Sequence, residues 1–547
     1  MIRKTTIALI CFLALNLHAQ TLVKDLNPGK SGSNPFIVER LNGGFIFIAN
    51  TPSTGNEFWF SDGTDAGTIL LKDINPGPGS GTTTTTPVIL NGHLYFVART
   101  SGFMWSLWKT DGTPNGTVMV KDLGNMPISN PNGQLYLCVL KNKILFGFDD
   151  QSIGLGAELW VSDGTTSGTG LLKDINSTGS SNPSGLTAYG DYVYFFANTS
   201  DYGNELWRSN GTDTGTVLFK DIKPGIESAF SLGIPSFLVF KNLLYFGANG
   251  NDSAGVELWR TDGTKNNTKQ FININTTLGG SSFPGLLLAN ENFLFFRATN
   301  GTDGTEPWIS DGTLAGTKQL MDINPGSSNS TPSSPILINN KIIFNASSLN
   351  EGSEAYVTDG TSAGTSILKD IIPGNGSSYP LSKILHKNKV FFYAVDSTYG
   401  TEIWQTDGTS NGTSIALDIN PGKKGSNARN LFSFNNELYF SAIVDKDSLG
   451  QELYKYNFKT SVKSNQVSKI TVYPNPLKSG TAIQIEGTGN AYNLIRLIDC
   501  QGKILISADS KEEFSNTFNN RVVPTGVYNI HLSGDAASYN VKIIVEQ

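Results

Sequence analysis

A twelve-residue motif returns down this chain at nearly constant spacing, and no single compact domain explains that. It reads EFWFSDGTDAGT from Glu57, SLWKTDGTPNGT from Ser106, ELWVSDGTTSGT from Glu158 and ELWRSNGTDTGT from Glu205. It continues as ELWRTDGTKNNT from Glu257, EPWISDGTLAGT from Glu306, EAYVTDGTSAGT from Glu354 and EIWQTDGTSNGT from Glu402. A shortened copy, ELYKYN, starts at Glu452 and lacks the turn. The turn Asp or Asn falls at positions 62, 111, 163, 210, 262, 311, 359 and 407, so successive spacings are 49, 52, 47, 52, 49, 48 and 48. Such self-similarity marks one supersecondary unit repeated as an array.

Each period holds four strand-like runs. In one they are LTAYG, YVYFFAN, ELWRS and TVLFKDI, between Leu186 and Ile222. Alternating aromatic and β-branched residues bounded by Gly, Asn, Asp and Pro are strand signals, and no segment shows helical periodicity. The 59 glycines suit many tight turns. Four strands in 40–50 residues predict an all-β chain whose units are the blades of a β-propeller.

The ends of the array predict closure. After its first 20 residues the chain reads TLVKDLNPG, a fourth strand lacking the first three. The array ends with LFSFNNELYFSAIVDKDSLGQELYKYNF, the first three strands lacking the fourth. Joined, they form one composite blade that the N-terminal strand latches. The repeat count gives nine blades, or eight if one stands outside the ring; an open solenoid gives no reason for complementary halves.

The residue types follow from the packing. Trp occupies the third strand in seven of nine copies, with Tyr356 and Tyr454 in the others. A broad flat side chain once per blade suits face-to-face blade packing. Asp-Gly supplies an acceptor and a residue free to take positive φ, and the Thr hydroxyls cap the loop. Glu begins eight of nine third strands, Ser106 being the exception. A catalytic carboxylate pair is needed once, so acids in nearly every blade read as structural. DGTxxGT supplies too few acidic ligands for a calcium loop. His93, His386 and His531 are scattered, which argues against a zinc site or a Ser-His triad.

From Thr21 to Phe458 these repeats resemble the bacterial ELWxxDGT repeat family, a resemblance that implies little about activity. In its place between third and fourth strands the turn is similar to the Asp-box of sialidase-type propellers, but its spacing differs and no catalytic role carries over.

Function is expected where the repeats disagree. The first-to-second and third-to-fourth turns share one face and are uniform. The second-to-third loops, with the crossings between blades, occupy the other face and vary. They carry Asp149, Asp150, Asp201, Asp252, Asp303, Glu351, Asp396, Asp445 and Asp447, and the aromatics Phe103, Trp105, Tyr202 and Tyr399. Aromatic faces suit sugar stacking and clustered carboxylates suit calcium. The expected function is a binding protein whose acidic, aromatic-dotted face takes a glycan or surface partner. No cofactor is expected beyond calcium at that face. Two rivals stand beside it: a propeller polysaccharide hydrolase or lyase using an Arg triad drawn from Arg99, Arg208, Arg260 and Arg297, and a structural surface or matrix component.

The two ends give an address. Arg3 and Lys4 precede an apolar run, Ile7–Leu17, with Ala19 at a cleavage position, so residues 1–19 read as a secretory signal peptide. The run is too short to span a bilayer. Losing Arg3 and Lys4 takes the formal charge from −6 to −8. An acidic exported chain argues against nucleic acid as partner, and with Cys138 and Cys500 far apart no disulfide framework is expected.

After the array at 20–458, the polar stretch 459–469 reads as a linker and 470–547 as a small Ig-like β-sandwich. This last segment resembles the type A C-terminal sorting domain of the type IX secretion system. The carriers are Tyr473-Pro474-Asn475-Pro476, Asp499 with Gly502-Lys503, the run from Pro524 through Gly526 to Tyr528, and Lys542 to Val545. The resemblance implies a Bacteroidota-type source, recognition by the type IX machinery, and an extracellular or outer-membrane surface location after both ends are processed. It also makes the Asp-Ser pairs at Asp252, Asp396 and Asp447 similar to O-glycosylation sequons of that lineage.

Overall fold

The computed structural model describes residues 20–82, 86–101, 104–125, 136–230, 235–250, 254–458 and, in the C-terminal segment, 471–473, 477–478, 483–486, 494–499, 503–521, 523–533 and 538–546. Residues 1–19, read above as a signal peptide, the stretch 459–469 read as a linker, Phe103, Asp252, Pro474, Asn475, Pro476 and Gly502 lie outside these residues. The chain divides into two compact units, the first ending at Asn457 and the second running Phe458–Gln547.

Among the described residues the first unit contains nine four-stranded antiparallel sheets. Blades 1–8 occupy residues 36–70, 88–125, 138–173, 184–220, 237–272, 285–319, 333–369 and 381–417, each in simple first-to-fourth order. Blade 9 takes three strands from residues 429–457, and its fourth is Thr21–Lys24, which pairs with Gln451–Asn457. The split halves therefore join as expected, and the count is nine. First strands of neighbouring blades touch around the axis from blade 2 through blade 9 and on to blade 1, and blades 1 and 2 share an apolar core that includes Ile46, Phe58, Phe96 and Trp108. The array is a closed β-propeller.

The third-strand aromatic sits between blades. Trp207 of blade 4 packs with Leu145 and Leu159 of blade 3, and Trp259 of blade 5 with Leu206 and Phe246. Trp308, Tyr356 and Trp404 repeat this against blades 5, 6 and 7. The ELW motif thus works in two directions, its Leu facing the next blade and its Trp the one before. Fourth strands share a second regularity, a bulge opposite the Leu-Trp pair: Leu206 pairs with Lys220 but Trp207 with Leu218. The same shift recurs in blades 3, 5, 7, 8 and 9. A bulge increases local twist, which suits the outer strand of a blade.

The DGT turn is self-capped. In blade 3 the Asp163 carboxylate accepts from the Thr165 amide at 2.9 Å and the Thr165 hydroxyl at 2.7 Å. The Gly168 amide donates to the Thr165 hydroxyl at 3.0 Å, and the Ser162 and Thr169 hydroxyls lie 2.7 Å apart. Gly164 holds φ +87°, which calls for glycine, and a Cβ on Gly168 would fall 2.1 Å from the Asp163 carboxylate; blade 5 carries Asn267 at the second position, where its side-chain amide donates to the Asp262 carboxylate at 2.6 Å.

The C-terminal unit has a two-stranded and a five-stranded sheet. It also has a helix, Lys511–Asn519, where the periodicity predicted none. Ser510 caps it by accepting from the Glu513 amide, while the Glu513 carboxylate reaches back to the Asp509 amide. That Ser-x-x-Glu pattern is a capping signature legible in the sequence, but nine residues are too few for a clear apolar stripe. Phe514 and Phe518 bury against Ile495, Leu497 and Ile530.

Truncating Trp207 to Ala removes a ring that is 7% exposed at the blade 3–4 interface. A loss of about 3–5 kcal/mol is expected from a urea titration of the whole chain.

Candidate functional site

The Glu that opens each third strand is the most buried acid in the fold. Glu57, Glu158, Glu205, Glu257, Glu306, Glu354, Glu402 and Glu452 are all 0% exposed. In blade 3, Glu158 accepts from the Ile175 amide at 2.8 Å, the Ser181 amide at 2.8 Å and the Ser181 hydroxyl at 2.7 Å. Ile175 lies just past the fourth strand, which ends at Lys173, and Ser181 lies further along the crossing into blade 4. Glu257 and Glu306 repeat the pattern through Ser282 and Ser330. At the closing seam, Glu452 takes the Leu26 amide at 3.3 Å, the Ser33 amide at 2.8 Å and the Ser33 hydroxyl at 2.5 Å. These carboxylates fasten crossings. Burial pushes Glu57, Glu354 and Glu402 up to about 7 and Glu205 to about 8, against an ordinary 4.5, while the donated N–H bonds pull the other way.

Crossings and second-to-third loops share one face. A Cβ on Gly203, in the loop of blade 4, would meet the Glu227 carbonyl of the outgoing crossing at 2.6 Å; Gly352 and Gly400 abut their crossings likewise. First-to-second hairpins and DGT turns meet on the other face, as where the Lys143 amine donates to the Gly211 carbonyl of the next blade at 2.6 Å.

Apart from Asp252, which lies outside the described residues, the expected acidic residues lie on the crossing face, each bonded within its own blade or to the adjoining crossing. Asp150 caps its loop through the Ser152 amide and hydroxyl, at 2.9 and 2.6 Å, and Asp149 accepts from Gln151. Asp201 takes a 3.4 Å bond from Ser200, and the neighbouring Tyr202 is exposed. Asp303 accepts from Asn300 and Thr302. Glu351 accepts from the Ser348 hydroxyl. Asp396 caps the Thr398 and Tyr399 amides at 2.6 and 3.0 Å. Asp445 pairs with Lys424 at 2.6 Å, and Asp447 accepts from Tyr454 at 2.9 Å. Trp105 is buried rather than displayed.

The four arginines do not gather. Arg208 and Arg260 lie over Phe219 and Phe271, at 4.7 and 4.3 Å, and donate to the Gly263 and Gly312 carbonyls of the next blade's turn. Arg99 and Arg297 stand on the second strands of blades 2 and 6. On the hairpin face, Tyr189, Tyr192 and Tyr194 line an open pocket of ≈ 650 Å³ with Val239, Asn242 and Asp262.

The sequence reading passed over another position. The residue after the crossing Ser takes left-handed φ at the mouth of the axis: Asn34 (+48°), Asn182 (+47°), Phe283 (+46°), Thr331 (+47°), Tyr379 (+46°) and Asn427 (+53°). Asn visits this region readily, whereas a bulky side chain there costs about 1–2 kcal/mol. Yet Phe283 and Tyr379 are 52% and 57% exposed. The signal was available in the Ser-x-Pro register, which holds Asn in blades 1 and 4 but Phe in blade 6 and Tyr in blade 8.

Comparison with known proteins decides the C-terminal unit. The family of secretion system C-terminal sorting domains matches residues 471–546. The tail is a sorting domain. It places the protein in type IX export, with a cell-surface or extracellular location, and no helix among the described residues is long and apolar enough to cross a membrane. Of the expected motif residues, Gly526 and Tyr528 open the strand Gly526–Ser533, the Tyr528 hydroxyl donates to the Pro524 carbonyl at 2.8 Å, and Lys542 is exposed on the last strand. Tyr473 ends the strand Thr471–Tyr473.

No curated protein matches the chain. Solved structures match it at low identity and low TM-score. The β-propeller domain of the Trilobed protease from Pyrococcus furiosus is 10% identical, with 62% of this chain and 99% of that one covered, at a TM-score of 0.33. A prolyl endopeptidase is 11% identical, with 66% and 54% covered, at 0.36. Prolyl oligopeptidase B from Galerina marginata is 11% identical, with 65% and 55% covered, at 0.34. The chain spans about half the length of these two peptidases.

The buried acids give a pH dependence of known sign. A carboxyl whose pKa rises on folding holds its proton more tightly in the fold. Its contribution is full below the ordinary 4.5 and is lost as pH rises through about 7 to 8. The turn acids Asp62, Asp163, Asp311 and Asp407 are held low chiefly by their Thr hydroxyls, and their contribution is lost below the ordinary 3.8. The urea midpoint is therefore expected to fall from pH 5 to pH 8.5; a midpoint that rises over that range would contradict this.

Proposed function

We propose that this protein is a binding module of the ELWxxDGT-repeat type, carried outward by its sorting domain, whose crossing face takes a saccharide at the cell surface. One observation carries the reading: the recurrent acids are engaged in structural bonds, whereas departures from the repeat collect on the crossing face, with aromatic rings exposed. Arg208 and Arg260, already bonded to neighbouring turns, are poorly placed for a hydrolase or lyase. Calcium at the acidic loops would have to compete with the bonds those acids already make.

A glycan-array screen of the full chain, with and without calcium and followed by product analysis, tests this. Saturable binding without turnover is expected. Shortened products from a bound saccharide would move the protein to the enzyme class, and a silent array would turn the reading towards a structural role.

The sorting assignment predicts a second outcome. Deleting Ile470–Gln547 should leave the propeller in the periplasm, scored by fractionation and surface proteolysis. Unimpaired surface delivery would refute the proposed dependence on the type IX machinery.

A further inference from the structure

The nine blades act as one another's controls, and the departures near the axis are not scattered. One second-strand position, just before the recurrent Ala, faces the start of the next blade's first strand. Gly147 and Gly247 show the contact, since a Cβ there would meet Pro183 and Pro284. This position holds Ile48, Val97, Gly147, Phe196 and Gly247 in blades 1–5, but Arg297, Asn345, Tyr393 and Ser441 in blades 6–9. The change from apolar to polar is contiguous.

The same arc of the ring carries the strained aromatics. Phe283 enters blade 6 and Tyr379 enters blade 8, both in left-handed backbone where blades 1, 4 and 9 use Asn and blade 7 uses Thr331. Phe36, at the start of blade 1, is also exposed. Inner strands here are linked across blades, the Asn430 amide donating to the Pro35 carbonyl at 3.0 Å and the Lys383 amine to the Ser334 carbonyl at 3.3 Å.

Two arginines and a buried amine complete the arc. Arg297 stands beside Gly285, two residues after Phe283. Lys383 donates to Asn345 and, at 3.0 Å, to the Pro380 carbonyl next to Tyr379; burial pulls its amine down to about 7, so it braces the aromatic as a donor and leaves the standing charge to the two arginines. Arg429 starts the first strand of blade 9 and donates to Gln451. None of the three has an ion pair among the described residues. The described acids of this face are engaged in the second-to-third loops or beneath the crossings. Retaining exposed rings in costly backbone is a mark of function, and unpaired cations beside them select an anion.

We infer that this arc, at the crossing-face mouth of the axis in blades 6–9 and 1, binds an acidic saccharide, with a sugar ring stacked on Phe283 or Tyr379 and the carboxylates or sulfates of separate sugars meeting Arg297 in blade 6 and Arg429 in blade 9. The inference rests on the saccharide-binding reading above and names the ligand class. Flat exposed rings suit the C–H face of a pyranose, and the guanidinium fork suits both anionic groups.

The test uses calorimetric titration of the full chain with trigalacturonate, a chondroitin sulfate hexasaccharide and neutral maltohexaose. The variants are F283N with Y379N, which restores the residue found in other blades, and R297Q with R429Q. At least one acidic probe should bind tenfold or more tightly than maltohexaose, and which one binds separates carboxylate from sulfate. Each double variant should lose tenfold or more in affinity. The aromatic variant should melt at or above the wild-type temperature, because Asn relieves the backbone, and a merely structural role would lower it. A lower melting temperature, undiminished binding in both variants, or no binding of either acidic probe overturns the proposal. If saccharide binding persists in both variants, the module reading survives while this site falls; release of shorter products sinks the module reading itself.

Discussion

The architecture depends on a buried carboxylate that holds a crossing. Every propeller must send its chain from the outer edge of one blade to the axis of the next, leaving backbone amides buried on the way. Here the Glu at the head of the third strand lies under that crossing and collects two or three of those donors, as Glu158 does from Ile175 and Ser181. A hydrogen-bonded acid buried this deeply is costly to disturb, since removing it orphans several donors at once. Blade 2 is the variant: Ser106 replaces Glu, and its fourth strand runs on to Asn125, with Asp122 paired opposite Ser106.

The same device closes the ring. Glu452 takes the Leu26 amide just past the N-terminal strand and the Ser33 amide and hydroxyl beyond it. The seam between residues more than 400 apart in sequence is therefore built like the crossings within the chain. Trp and Leu of the ELW motif add an apolar joint on each blade face, where Trp59 of blade 1 packs against Tyr439 and Leu453 of blade 9.

Much of this was legible in the sequence because the repeat is its own alignment. Period, strand number and the two half-blades gave nine blades and the latch. The uniform and variable faces followed from strand order alone. The partners of Glu were not legible: they lie 17–25 residues downstream, as for Ile274 and Ser282 of Glu257, and only folding brings them under its carboxylate. Loop acids such as Asp150 and Asp396 were visible as acids, but their work as loop caps depends on backbone turns that composition does not reveal. Phe283 and Tyr379 went unnoticed because an aromatic before Pro looks ordinary until its φ is known.

The most direct test of the carboxylate clasp is hydrogen exchange on a Glu452→Ala variant, read at the Leu26 and Ser33 amides against Ile175 and Ser181 as internal controls. The account predicts that protection falls at Leu26 and Ser33 while Ile175 and Ser181, still held by Glu158, stay protected. Unchanged protection at the closing seam would contradict it, and would mean that strand pairing and Trp packing close the ring without the acid.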